Sequence, residues 1–163
     1  MRKNGMALKN RDVAIEDRKF FLKRAYESLT IITQSYTIWL GQADFLEVLE
    51  RNVKQMVEFL YNSRHFTYIS VGGDLENMSN ELPLTERLFL DHIDTIYLKA
   101  QFILRFISHQ KVLRHFKTLV DSGDMKLQRY LDQIIETDNN TILRDLNLIQ
   151  MRIDAFRRFI ELF

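Results

Sequence analysis

The chain has 163 residues, 46% of them hydrophobic and 28% charged, a composition that suits one globular domain and excludes a disordered chain. A formal net charge of +1 gives no global field to attract nucleic acid, and the absence of cysteine removes disulfides, thiolate metal ligands and thiol catalysis. One proline and five glycines are too few for a turn-rich β fold and suit long helices.

The first eleven residues, MRKNGMALKNR, are polar and basic without the apolar stretch of a secretory signal. They read as a flexible basic tail. Helix one is expected from about Asp12 to Leu40, with a seam at steps of four and three: Phe21, Ala25, Leu29, Ile32, Tyr36 and Trp39. Gly41 is suited to stop it, and Asp44 with Glu47 three residues on resembles a capping box for helix two. Helix two carries Phe45, Leu49, Val53, Met56 and Leu60 inward and is expected to end by Ser63.

Residues 64–82 break the pattern. HFTYISV is β-branched and aromatic, and Gly72-Gly73 follows it, so an extended segment across the bundle is expected there. Phe66, Tyr68 and Ile69 are the expected partner-binding residues of that loop.

Pro83 suits the first turn of helix three, whose seam is Phe89, Ile93, Ile96, Ala100, Ile103 and Ile107. The next seam positions are Gln110 and Arg114, while Val112, Phe116, Leu119 and Val120 form a shifted apolar set. That phase change predicts a kink or a short new helix near Ser108–Gln110. Asp124 can cap a further helix carrying Leu127, Leu131, Ile134 and Ile135, which Asp138-Asn139-Asn140 breaks or caps. The final helix, from about Thr141, repeats Ile142, Leu146, Ile149, Ile153, Phe156, Ile160 and Phe163.

The expected fold is therefore all-α: an antiparallel helical bundle of four long helices plus one or two short helices, with a long extended loop between helices two and three, in a single domain over 1–163. Each buried seam residue contributes roughly 1.5–3 kcal/mol. No stretch is apolar for the ~20 residues that a membrane span requires.

Little chemistry is legible. Helical di-iron sites need Glu-x-x-His, and the residues three before His65, His92, His109 and His115 are Asn62, Phe89, Phe106 and Val112. No metal and no cofactor are expected. Gly72-Gly73 is neither a P-loop nor a dinucleotide fingerprint.

Charge is blocked along the chain: residues 1–24 hold eight Lys/Arg against three acids, residues 72–94 six acids against Arg87, and residues 95–120 five Lys/Arg and no acid. Such blocks complement one another inside a fold, or they form a face. Arg105, Lys111, Arg114, His115 and Lys117, with Arg18, Lys19, Lys23 and Arg24 on helix one, could track a phosphate backbone.

Arg87-Leu88-Phe89-Leu90-Asp91-His92, an Arg and a His separated by four residues at a helix start, resembles the signature of the HEPN superfamily of helical RNases. The resemblance covers six residues and departs from the family habit of a polar residue after the Arg, where Leu88 stands. It implies metal-independent RNA cleavage at a dimer interface, with His92 in proton transfer and Arg87 on the phosphate. The plain alternative is that Arg87 neutralises Glu86 or Asp91 and His92 lies on the helix surface.

The C-terminal FRRFIELF ends on the seam, so Phe163 is expected to pack on the bundle or a partner protomer rather than on a membrane. The leading expectation is a non-enzymatic interaction or regulatory bundle in the cytoplasm. Its partner is expected to be a second copy of itself, as a homodimer, or another protein; a nucleic-acid-binding bundle and a HEPN-like RNase are the alternatives.

Overall fold

The computed structural model describes residues 2–70, 84–120 and 123–161, with side chains over 13–70, 84, 86–120 and 123–159. The described residues form four helices, α1 (Arg2–Leu40), α2 (Phe45–Ser70), α3 (Leu84–Leu119) and α4 (Met125–Glu161), and no strand. The fold is an all-α helical bundle. No helix among the described residues is long and apolar enough to cross a membrane.

Each helix buries one seam. α1 contributes Leu22, Ala25, Leu29, Ile32 and Tyr36; α2 contributes Phe45, Leu49, Val53, Met56 and Leu60. α3 contributes Phe89, Ile93, Ile96, Ala100, Ile103 and Ile107, and α4 adds Leu131, Ile142, Leu146, Ile149 and Ile153. Leu22 takes the core place expected of Phe21, which is half-buried and stacks on Phe66 with ring centroids 5.7 Å apart.

The α1–α2 connection is a tight turn in which the Gln42 N–H donates to the Trp39 carbonyl at 2.9 Å. Asp124 caps α4 as expected, its carboxylate accepting the Leu127 N–H at 3.1 Å.

Four expectations are corrected. The basic tail is helical from Arg2 onward, as its Met, Leu and Lys residues, none of them β-branched, and its lack of proline permit. α2 runs on through 64–70, so the HFTYIS run is helix and not extended. Packing overrides its β propensity: Ser63, Thr67 and Ser70 continue the α2 seam at heptad spacing and are buried. Residues 71–82, including Gly72-Gly73, lie outside the described residues, as do Pro83 and Phe163.

The phase change near Ser108–Gln110 starts no new short helix: α3 is one continuous helix from Leu84 to Leu119. Gln110 continues the seam, fully buried, and its amide donates to the Ile135 carbonyl at 2.8 Å. A satisfied amide can therefore stand where the sequence suggested a failed apolar position. The shifted set Val112, Phe116 and Leu119 is exposed instead. Finally, Asp138-Asn139-Asn140 neither breaks nor caps a helix, because Asp138 is a buried seam residue bonded to His109 and α4 is continuous. No separate short helix occurs among the described residues.

Truncating Ile96, buried in the centre of α3, to alanine is expected to cost about 2–5 kcal/mol in urea denaturation. Ile38→Ala, on the outer face of α1, is expected to stay within about 0.5 kcal/mol of the parent.

Candidate functional site

The polar side chains of the interior are gathered at the ends of the apolar seams. Stepping back along α1 from Leu22 by four reaches Arg18, and stepping back along α3 from Phe89 by three reaches Glu86. Both are buried. Arg18 Nη1 donates to Glu86 Oε2 at 2.7 Å and to Ser70 Oγ at 3.1 Å, and Nη2 donates to Glu86 Oε1 at 3.2 Å. The guanidinium lies 4.3 Å from the centroid of the Phe89 ring. Ser63 donates to the Arg18 carbonyl at 2.8 Å, and Ser70 to the Thr67 carbonyl at 2.7 Å. This cluster ties α1, α2 and α3 together. Arg18, named among the basic residues that could track a phosphate backbone, is instead buried and paired with Glu86 of the acidic block, as charge blocks that complement one another inside a fold would be.

One level inward, Tyr26 Oη and His92 Nε2 are 2.8 Å apart, and the His92 ring stacks on Phe156 at 4.7 Å. Burial holds the His92 imidazole down at about 4, with the nearby Arg152 acting the same way. Burial also raises the Tyr26 phenol. His92 Nδ1 has no hydrogen-bond partner. The Tyr26 hydroxyl and His92 Nε2 share one hydrogen bond, whose donor follows from the tautomer of the neutral ring. Tyr26 forms one wall of a groove of about 420 Å³ between α1 and α4, whose other walls include Lys19, Leu22, Gln150, Ile153 and Arg157.

At the opposite end, His109 Nδ1 lies 2.5 Å from Asp138 Oδ2, Lys111 pairs with Glu50 at 2.7 Å, and Lys117 pairs with Asp132. The Lys111 hydrogen bond holds the Glu50 carboxyl below the usual range.

The candidate residues are thus scattered. Arg87 is exposed while His92 is fully buried, neither beside a surface nor open to substrate. The acids expected to neutralise Arg87 are engaged elsewhere, Glu86 with Arg18 and Asp91 with Arg152 at 2.8 Å. Of the basic face, Lys111 and Lys117 have acidic partners, Arg114 donates to Gln110 at 3.3 Å, Arg105 lies over the Phe102 ring at 5.3 Å, and His115 is exposed. Phe66 stacks on Phe21; the Tyr68 hydroxyl donates to Asp94 at 3.5 Å, and Asp94 also accepts from Arg64 at 2.7 Å. Ile69 is exposed. No group of three or more His, Asp or Glu that could hold a metal occurs among the described residues.

What the sequence reading missed is on the outside of α3. Opposite its buried seam runs a second heptad stripe: Leu84, Leu88, Asp91, Thr95, Leu98, Phe102, Arg105, His109, Val112, Phe116 and Leu119. Its seven apolar members are from 37% (Leu88) to 70% (Leu119) exposed. The signal was legible in the alternating steps of four and three from Leu84 to Leu119. It was hidden because Val112, Phe116 and Leu119 were read as an inner seam out of phase.

Fold and surface define the chain as a helical bundle with one helix apolar on two sides. No family model, no curated protein and no solved structure matches it.

Arg18→Met is expected to cost about 3–5 kcal/mol because Glu86 is left buried without its cation, and Arg18→Met combined with Glu86→Leu to recover most of that loss, both read by urea denaturation. His92 gives a pH dependence. Its folded value of about 4 lies below the ordinary 6.5, so the unfolded chain binds the extra proton first. Stability is expected to be level above pH 6.5 and to fall by about 3 kcal/mol between there and pH 4. In His92→Gln, whose amide can donate to or accept from Tyr26 but does not titrate, that slope should be reduced.

Proposed function

We propose that this chain is a non-enzymatic protein-interaction module that self-associates, a single-domain bundle whose successive helices run antiparallel. The antiparallel course is supported by pairs joining opposite ends of neighbouring helices. Early α1 meets late α2 at Arg18 and Ser70, and late α1 meets early α2 where the Tyr36 and Phe45 rings lie 5.4 Å apart. Late α3 meets early α2 at Lys111 and Glu50, and late α4 meets early α3 at Arg152 and Asp91.

The single observation that carries the interaction reading is the two-sided apolar character of α3. A helix in a bundle needs one apolar face toward the core, and a second sustained face exposed along the whole element is the mark of a partner. The buried polar groups speak for a structural use, since Arg18, Glu86, Tyr26, His92, Gln110 and Asp138 bond to groups of this same chain. The nucleic-acid reading draws less support, because intrachain acids neutralise Lys111 and Lys117. A paired RNase site requires an accessible His92, and its full burial lends that reading no support.

Light scattering on the purified chain at low and high salt tests the proposal. A mass of twice the chain, insensitive to salt, is the expected outcome, because apolar burial is not screened as surface charge is. A monomer at every concentration would exclude self-association.

A further inference from the structure

We infer that two copies of this chain dock α3 against α3, antiparallel about a twofold axis level with Ala100, so that Leu98 of each copy faces the partner's Phe102. This rests on the self-association reading and specifies its interface.

The stripe has the symmetry that such a contact demands. In an isologous pair, one surface must complement itself. With the axis level with Ala100, each residue a given number of positions before it meets the residue the same number after it. Leu98 then meets the partner's Phe102, and Thr95 the partner's Arg105. Asp91 meets the partner's His109, Leu88 the partner's Val112, and Leu84 the partner's Phe116. From Leu84 to Phe116 every apolar position falls on an apolar position and every polar one on a polar one, and Leu119 lies beyond the paired stretch. The carboxylate falls on the imidazole.

No neighbouring register does this. Sliding one helix by a heptad in either direction sets Asp91 against the partner's Phe102 or the partner's Phe116. The same slide sets Arg105 against the partner's Leu88 or the partner's Phe102. A parallel pairing in register would oppose Asp91 to Asp91 and Arg105 to Arg105, and like charges across a layer select against it.

Two further observations fit. The outer stripe has the same period as the buried seam of α3, so both drift around the helix together and each keeps to its own side as the helix supercoils. The polar layer is also half prepared within the chain. Arg152 takes Oδ2 of Asp91 and Asp138 takes Nδ1 of His109, leaving Oδ1 and Nε2 as the atoms that face the partner. From Leu84 to Phe116 the contact runs about 48 Å at 1.5 Å per residue.

The test uses the full chain in sedimentation equilibrium, alone and as Leu98→Glu and Phe102→Glu. Both positions are about half exposed, so far-UV circular dichroism is expected to stay at the parent value, while the melting temperature falls only by the stabilisation that dimerisation gave. The parent is expected to be dimeric, and each glutamate variant to weaken dimerisation by at least about 100-fold. The chain has no cysteine, so a spin label on Ser108→Cys or His115→Cys reports one site per copy. With helix axes about 10 Å apart, the antiparallel register predicts label separations of about 26 Å at 108 and about 46 Å at 115. A parallel dimer would give similar short distances at both. A monomeric parent would overturn the self-association reading and this interface with it. A dimer that survives both glutamates, or gives two similar short distances, would overturn the α3 interface alone and leave self-association through another face.

Discussion

The buried pairing of Arg18 with Glu86 constrains the rest of the bundle. A guanidinium and a carboxylate taken out of water each lose several kcal/mol of hydration, and only close, doubly bonded geometry offsets this. Any slip of α1 along α3 by a turn would leave both ions unpaired in an apolar core. The pair is therefore poor evidence for stability and good evidence for register. Ser63 and Ser70 extend the same constraint to α2, one through the Arg18 carbonyl and the other through its guanidinium.

The interior follows one rule from end to end. Each helix keeps a buried seam at steps of three and four, and polar residues take seam positions toward both ends of the bundle. At one end the polar positions are Arg18, Ser63, Thr67, Ser70 and Glu86; at the other they are Gln110 and Asp138. These polar groups bond one another or a backbone carbonyl, Arg18 through its two Nη atoms while its buried Nε has no partner, and the seam continues without a break in the helix. His92 and Tyr26 are the intermediate case, a polar pair enclosed among aromatic rings and kept neutral by burial. With its polar interior committed to packing, the bundle leaves a long exposed surface on the outside of α3, where apolar residues and two opposite charges alternate in helical register.

Much of the fold was legible in the chain. The seams of α2 and α3, the Asp124 cap and most of the α1 and α4 core positions follow from spacing alone. The errors share a cause. Strand propensity at HFTYIS, a turn signal at Asp138-Asn139-Asn140 and an apolar gap at Gln110 are local signals, and each was set above the longer period running through it. Following that period would have placed Ser63, Thr67 and Ser70 on α2, kept α3 and α4 whole, and drawn Arg18 and Glu86 into the core. Of the candidate site, the outer face of α3 was written in the sequence but unrecognisable until Gln110 had been assigned to the inner one.

The sequence by itself determined the helices and their period, because heptad spacing of large apolar residues is a property of one chain segment and requires no knowledge of its neighbours. Tertiary structure alone decided which polar residues go inside. A buried ion pair is tolerable only when the opposite charge arrives from another helix 68 residues away, as Glu86 does for Arg18. It also decided that Val112, Phe116 and Leu119 face outward, since a helix with two apolar stripes gives one of them to the core only when its neighbours have taken their places.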